Sequence, residues 1–94
     1  MSLTNRVALV TGGRRIGQVV AEELARAGAD VVLSYRSSRQ EAEATASRVR
    51  ALGARALVVQ ADVSRPDDCA RLADVIAPEM GALDILVNMA STYV

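Results

Sequence analysis

The chain has 94 residues, and its eleven basic side chains, all arginine, balance eleven acidic ones for a formal net charge of zero. With no lysine and no histidine, Schiff-base chemistry, a Ser-His-Asp triad, an imidazole base and an ordinary zinc site are all excluded. A single cysteine, Cys69, cannot form an internal disulfide, and neutral charge argues against a broad nucleic-acid-binding face.

At 51% apolar and 23% charged, the chain reads as one globular α/β domain spanning residues 1–94. No apolar run approaches the roughly 20 residues of a membrane helix. The start, Met1-Ser2-Leu3-Thr4-Asn5, lacks the charged-then-apolar layout of a secretory signal, so a cytoplasmic location is expected.

The first element is a predicted strand, Val7–Val10, continuously apolar as a strand buried on both faces should be. The segment Thr11-Gly12-Gly13-Arg14-Arg15-Ile16-Gly17 follows. Its glycines let the backbone turn tightly and approach a pyrophosphate, whose charge suits the free N–H groups of a helix start. The competing reading is an ordinary turn. A helical stripe of Ile16, Val19, Val20, Leu24 and Ala27 comes next, closed by Gly28.

A second strand, Val31–Leu33, leads into Ser34-Tyr35-Arg36-Ser37-Ser38. An acidic residue at this strand end suits a ribose 2′-hydroxyl, whereas arginine and hydroxyl donors suit a 2′-phosphate. Arg36, Ser37 and Ser38 therefore point to NADP(H), and Arg14 or Arg15 can reach the same phosphate in a bidentate manner. Solvated arginines and a serine helix cap are the plainer alternative. Asp30 precedes the strand and falls at the wrong edge of the sheet to select a cofactor.

A weaker stripe of Ala42, Ala46, Val49 and Leu52 ends at Gly53 and precedes a third strand, Ala56–Val59. Beyond it, Asp62 can accept a hydrogen bond from an adenine amino group, with Val63 against the ring. It can equally be a turn aspartate before Ser64, which reads as the N-cap of a third helix with Pro66 in its first turn and Asp67 at the capping-box position. That helix carries the stripe Cys69, Leu72, Ala73, Ile76 and Met80, with Cys69 expected as a small core residue, and Gly81 ends it. The last strand is Leu83–Val87, followed by Asn88, which either contacts the cofactor ribose or ties neighbouring strands together.

Alternating strands and helices imply parallel strands with right-handed crossovers, a Rossmann-type doubly wound sheet that binds ligands at its carboxyl ends. A receiver-type domain is disfavoured, because Thr11 and Arg36 end the first two strands where that chemistry needs carboxylates.

The runs V-A-L-V-T-G-G-R-R-I-G, G-A-D-V-V-L-S-Y-R-S-S, A-D-V-S and L-D-I-L-V-N-M-A-S resemble, in this order, the short-chain dehydrogenase/reductase family. The arginine pair before Ile16 and the serine closing N-M-A-S are more similar to its pteridine-reductase-like members. By this resemblance Gly12, Gly13 and Gly17 take the pyrophosphate positions and Arg36 the NADPH-selecting one. Arg15 takes the place of the usual middle glycine. Asp62 and Val63 flank the adenine, and Asn88, Ala90 and Ser91 lie beside the ribose and nicotinamide. Arg14, Ile16, Tyr35, Ser37 and Ser38 complete the implied cofactor-binding set.

The chain departs from the family pattern in three ways. Its glycine loop is one residue short between Thr11-Gly12 and Arg15, and Met89 replaces the second asparagine of the usual pair. The serine, tyrosine and lysine that such enzymes use lie beyond the fourth strand, and Tyr93 has no lysine four residues on. The resemblance thus implies an NADPH-dependent oxidoreductase, passing hydride to a carbonyl or pterin-like small molecule, with these residues supplying the cofactor half and inactive alone. A non-catalytic dinucleotide-binding module is the alternative. An apolar fourth strand at the sheet edge further implies a homo-oligomer, with neither nucleic acid nor membrane as partner.

Overall fold

The computed structural model describes residues 2–12 and 14–89, with Arg14 described by its backbone. Strand and helix alternate as the apolar runs require: β1 Val7–Thr11, α1 Arg14–Arg26, β2 Asp30–Tyr35, α2 Arg39–Ala51, β3 Ala56–Gln60, α3 Pro66–Met80 and β4 Ile85–Asn88. The four strands form one parallel sheet in the order β3-β2-β1-β4. The chain therefore winds outward from β1 to β3 and returns to the other side of β1, which creates the switch point of a doubly wound sheet.

Each face of the sheet buries its own core. Val7, Leu9, Val32 and Val59 pack with Leu72 and Ile76 of α3 on one face. Val10, Val31 and Leu33 pack with Ala21, Ala25, Ala46 and Val49 of α1 and α2 on the other. Successive side chains of a strand point to opposite faces, so two-sided burial needs the unbroken apolar runs seen in β1 and β2.

Two apolar stripes sit differently from expectation. In α1, Val20 and Leu24 of the expected stripe do pack against the core beside the buried Ala21 and Ala25, but Ile16 and Val19 are 64% and 59% exposed. The buried face of α1 is thus centred on Ala21 and Ala25, to one side of Ile16 and Val19. In α3, Cys69 is exposed rather than core, its Sγ 3.3 Å from the Val63 carbonyl oxygen.

The start of α3 also differs. Arg65, not Ser64, is its N-cap, with no side-chain capping bond. Ser64 instead turns back on Asp62, whose Oδ1 accepts its backbone N–H at 3.0 Å and its hydroxyl at 2.6 Å. The carboxylate that reaches back from the first turn belongs to Asp68 rather than Asp67, and its Oδ2 accepts the Asp62 N–H at 2.7 Å. A charged oxygen outcompetes the hydroxyl for the loop donors.

The amino ends of the strands are fastened by side chains. Asp84 accepts the Val7 N–H at 2.9 Å, while its own N–H donates to the Val7 carbonyl at 2.9 Å. Asp30 accepts both the backbone N–H and the Nε of Arg55 at 2.9 Å, joining the starts of β2 and β3. Asp30 is the first residue of β2 rather than preceding it, and still belongs to the amino-end edge of the sheet.

Candidate functional site

At the carboxyl ends, the loops after β1, β2 and β3 enclose a cavity of about 370 Å³. Of the residues singled out from the sequence, Gly12, Gly17, Tyr35, Arg36, Ser37, Ser38, Asp62 and Val63 line it. Three loops far apart in sequence meet there because their strands are parallel and adjacent, so every strand-to-helix loop emerges at one rim.

The first loop is tight. Gly12 has φ 62°, a left-handed conformation that glycine adopts without cost, and its N–H donates to the Ser34 carbonyl at 3.2 Å. A Cβ on Gly17 would lie 2.8 Å from the Gly12 carbonyl oxygen. The first turn of α1 therefore presses on the loop at a separation that admits only glycine.

The second loop presents a cation beside hydroxyls. Arg36 is exposed, and its carbonyl accepts a hydrogen bond from Gln60 Nε2 at 3.3 Å. Ser38 does occupy the N-cap position of α2, but its hydroxyl makes no capping bond. The expected cap role is thus filled by backbone geometry alone, with the Ser38 carbonyl accepting the Ala42 N–H at 3.1 Å.

The third loop holds a fixed carboxylate. The Ser64 hydroxyl and N–H, then the nearby Arg36 and Arg65 guanidinium groups, keep the Asp62 carboxyl below its usual range. Both Ser64 bonds fall on Oδ1, and Oδ2 has no hydrogen-bond partner among the described residues. An oxygen so placed can accept a donor from a ligand.

Other expected site residues do not reach the cavity. Arg15 and Ile16 are exposed and do not line it. Asn88 accepts the Thr11 hydroxyl at 2.8 Å on Oδ1, the strand-tying alternative, where the register sets Thr11 opposite Asn88. Gly13, Ala90, Ser91, Tyr93 and the Arg14 side chain lie outside the described residues.

The cavity also contains residues the sequence reading missed. Gln18, Glu41 and Thr45 contribute to its walls, as does Ser64. Thr45 is buried, and its hydroxyl donates to the Glu41 carbonyl at 3.0 Å. Their signal was available in part: Glu41 and Thr45 sit three and seven residues after Ser38, on one helix face directed toward the same rim.

No helix among the described residues is long and apolar enough to cross a membrane. Among the described residues, no group of three or more His, Cys, Asp or Glu side chains is placed to hold a metal ion.

Comparison with known proteins agrees with this geometry. The family description "short chain dehydrogenase" matches residues 6–93. The chain is 42% identical over 92 residues to the short-chain dehydrogenase/reductase homolog YusS of Bacillus subtilis, covering 97% of this chain and 84% of that protein. It is 40% identical over 94 residues to the hydroxynaphthalene reductase-like protein Arp2 of Metarhizium robertsii, covering 99% of this chain but 35% of Arp2. Among solved structures, it is similar to a short chain dehydrogenase from Burkholderia cenocepacia in complex with NADP, with a TM-score of 0.89 and 43% identity. That likeness covers 98% of this chain and 38% of the Burkholderia chain. The chain thus spans most of the Bacillus homolog and little more than a third of the other two. With the strand order, the glycine loop and the sequence matches in agreement, this chain belongs to the short-chain dehydrogenase family.

Proposed function

We propose that this chain is the NADP(H)-binding part of an oxidoreductase. The observation that carries the reading is the convergence of Arg36, Ser37 and Ser38 with Gly12, Gly17 and Asp62 on one cavity. The fit is chemical as well as spatial: a cation and hydroxyls at the end of β2 suit a 2′-phosphate, and a glycine-only contact leaves the backbone open to a pyrophosphate. In this reading Arg36 with Ser37 and Ser38 holds the 2′-phosphate and Tyr35 borders the ribose. Asp62 and Val63 receive the adenine, and Gly12 and Gly17 approach the pyrophosphate, to which the resemblance also assigns Gly13, Arg14, Arg15 and Ile16. The resemblance assigns Ala90 and Ser91 to the nicotinamide side, while Asn88 ties β4 to β1 through the Thr11 hydroxyl. When bound, the nicotinamide supplies hydride.

The substrate class we propose is a carbonyl or pterin-like imine, on the resemblance of Arg14-Arg15 and N-M-A-S to pteridine-reductase-like members. The proton-transfer tyrosine and its lysine have no counterpart among these 94 residues, which contain no lysine at all. The 94 residues alone are therefore expected to bind cofactor without turnover.

The test is binding of NADPH and NADH to the chain and to Arg36→Ala. A charge-assisted phosphate contact of roughly 1.5–3 kcal/mol predicts about a 10- to 100-fold loss for NADPH and little change for NADH. Equal affinity for the two cofactors in the unaltered chain contradicts the assignment.

A second reading, a non-catalytic dinucleotide-binding module, draws on the Bacillus homolog, of which this chain covers 84%. Turnover of NADPH by the chain with a panel of ketones and pterins contradicts it, together with the inactivity expected of the 94 residues alone. In either reading the free edge of β4 favours self-association. Among the described residues β4 pairs with β1 alone, and Leu86 is 62% exposed. Light scattering that finds a monomer at every concentration contradicts that.

A further inference from the structure

The third loop is held in place by α3, through side chains that do not line the cavity. Asp68 stands in the first turn of α3, and its Oδ2 accepts the Asp62 N–H at 2.7 Å. Its Oδ1 lies 3.7 Å from Nη2 of Arg71, one turn further along. The same Nη2 donates to the Gln60 carbonyl at 2.5 Å, and Gln60 Nε2 donates to the Arg36 carbonyl at 3.3 Å. A continuous set of bonds thus runs from α3 to the ends of β3 and β2, reaching the backbone of both Asp62 and Arg36.

We propose that Asp68 is a positioning residue for Asp62 and thereby sets recognition of the adenine amino group. The proposal rests on the reading of Asp62 as the adenine acceptor and extends it to a residue outside the site.

The geometry gives the reason. Asp62 is fixed at two points. Its side chain is turned by the two Ser64 bonds on Oδ1, and its backbone is anchored by the Asp68 bond. A hydrogen bond is worth most when both partners are already oriented, because no loop ordering is then required on binding. Asp68 supplies the anchor, and Arg71 holds the anchor against β3. Removing the Asp68 carboxylate leaves the Asp62 N–H without its charged acceptor while leaving Arg36, Ser37 and Ser38 chemically intact.

The experiment compares adenosine 2′,5′-bisphosphate with its hypoxanthine counterpart, inosine 2′,5′-bisphosphate, by calorimetry on the full chain. The two ligands share their phosphates and differ at the base position that Asp62 is read to contact. A hydrogen bond to a charged acceptor predicts about a tenfold preference for the adenine ligand in the unaltered chain. Asp68→Ala and Asp68→Ser should each lower that ratio to about twofold or less, with the hypoxanthine ligand changing by no more than about twofold. Serine suits the start of a helix, so the second variant carries the test where alanine impairs folding. Asp68→Asn, whose amide oxygen can accept the same N–H, should restore most of the preference. An unchanged ratio in both truncations, with the two ligands weakening together, reduces Asp68 to a structural residue and overturns the proposal. No base preference in the unaltered chain overturns the reading of Asp62 as well. Failure to bind either nucleotide overturns the cofactor assignment on which both stand.

Discussion

Asp30 and Asp84, at the amino ends of the strands, are committed to the fold: Asp30 receives two N–H groups of Arg55, and Asp84 receives the Val7 N–H while facing Arg6 at 3.6 Å. Asp62, at the carboxyl ends, accepts both its side-chain bonds on one oxygen and lines a cavity. The same side chain is therefore structural at one end of the sheet and available to a ligand at the other. Topology makes the difference. At the amino ends, loops enter the sheet and their donors lie beside neighbouring strands, so carboxylates close on protein partners. At the carboxyl ends, the loops after β1, β2 and β3 leave a cavity between them.

The largest effect that would sharpen this contrast is expected at Gly17. Gly17→Ala sets a Cβ 2.8 Å from the Gly12 carbonyl oxygen, a backbone atom that cannot swing aside. Displacing that loop should lower stability by roughly 1–3 kcal/mol, the usual cost of overpacking. It should weaken nucleotide binding by more than about tenfold, read from a denaturant midpoint and a binding isotherm. Near-native affinity with full stability would mean that the first loop is not the tight wall described.

A smaller and opposite pattern is expected at the amino end. Asp84→Ala removes the acceptor of the Val7 N–H at the start of β1. The loss should be about 1–2 kcal/mol, mainly from that hydrogen bond, because the exposed partner Arg6 adds little. Nucleotide affinity measured under native conditions should change by less than about twofold. A large loss of affinity without a loss of stability would break the division between the two ends.

Much of this was legible because both faces of the sheet are buried. Continuous apolar runs such as Val7–Val10 and Val31–Leu33 locate the strands, and their order locates the loops that matter. The residues after the strands then identify themselves by chemistry, as Arg36 and Asp62 do. Finer features were not legible, because they depend on partners distant in sequence or on the exact rotation of a helix. Ile16 and Val19 belong to a helical stripe by spacing, but the buried face of α1 is centred on Ala21 and Ala25 and leaves them at the surface. Ser64 has the residue type of an N-cap, but Asp62, two residues earlier, takes its hydroxyl. Cys69 fits an apolar stripe and is exposed, because Leu72 and Ile76 hold the buried line of α3. Glu41 and Thr45 reach the cavity only because α2 begins at its rim.

The central claim is that ligand binding is confined to the carboxyl ends. Its most direct test is a titration of the nitrogen-15-labelled chain with adenosine 2′,5′-bisphosphate, followed by backbone amide NMR shifts. The account predicts saturable shifts at Gly12, Arg36, Ser37, Ser38, Asp62 and Val63, with Asp30, Arg55, Val7 and Asp84 unmoved. Shifts centred on Asp30 and Asp84, or saturable binding that leaves Arg36 and Asp62 unmoved, would contradict it.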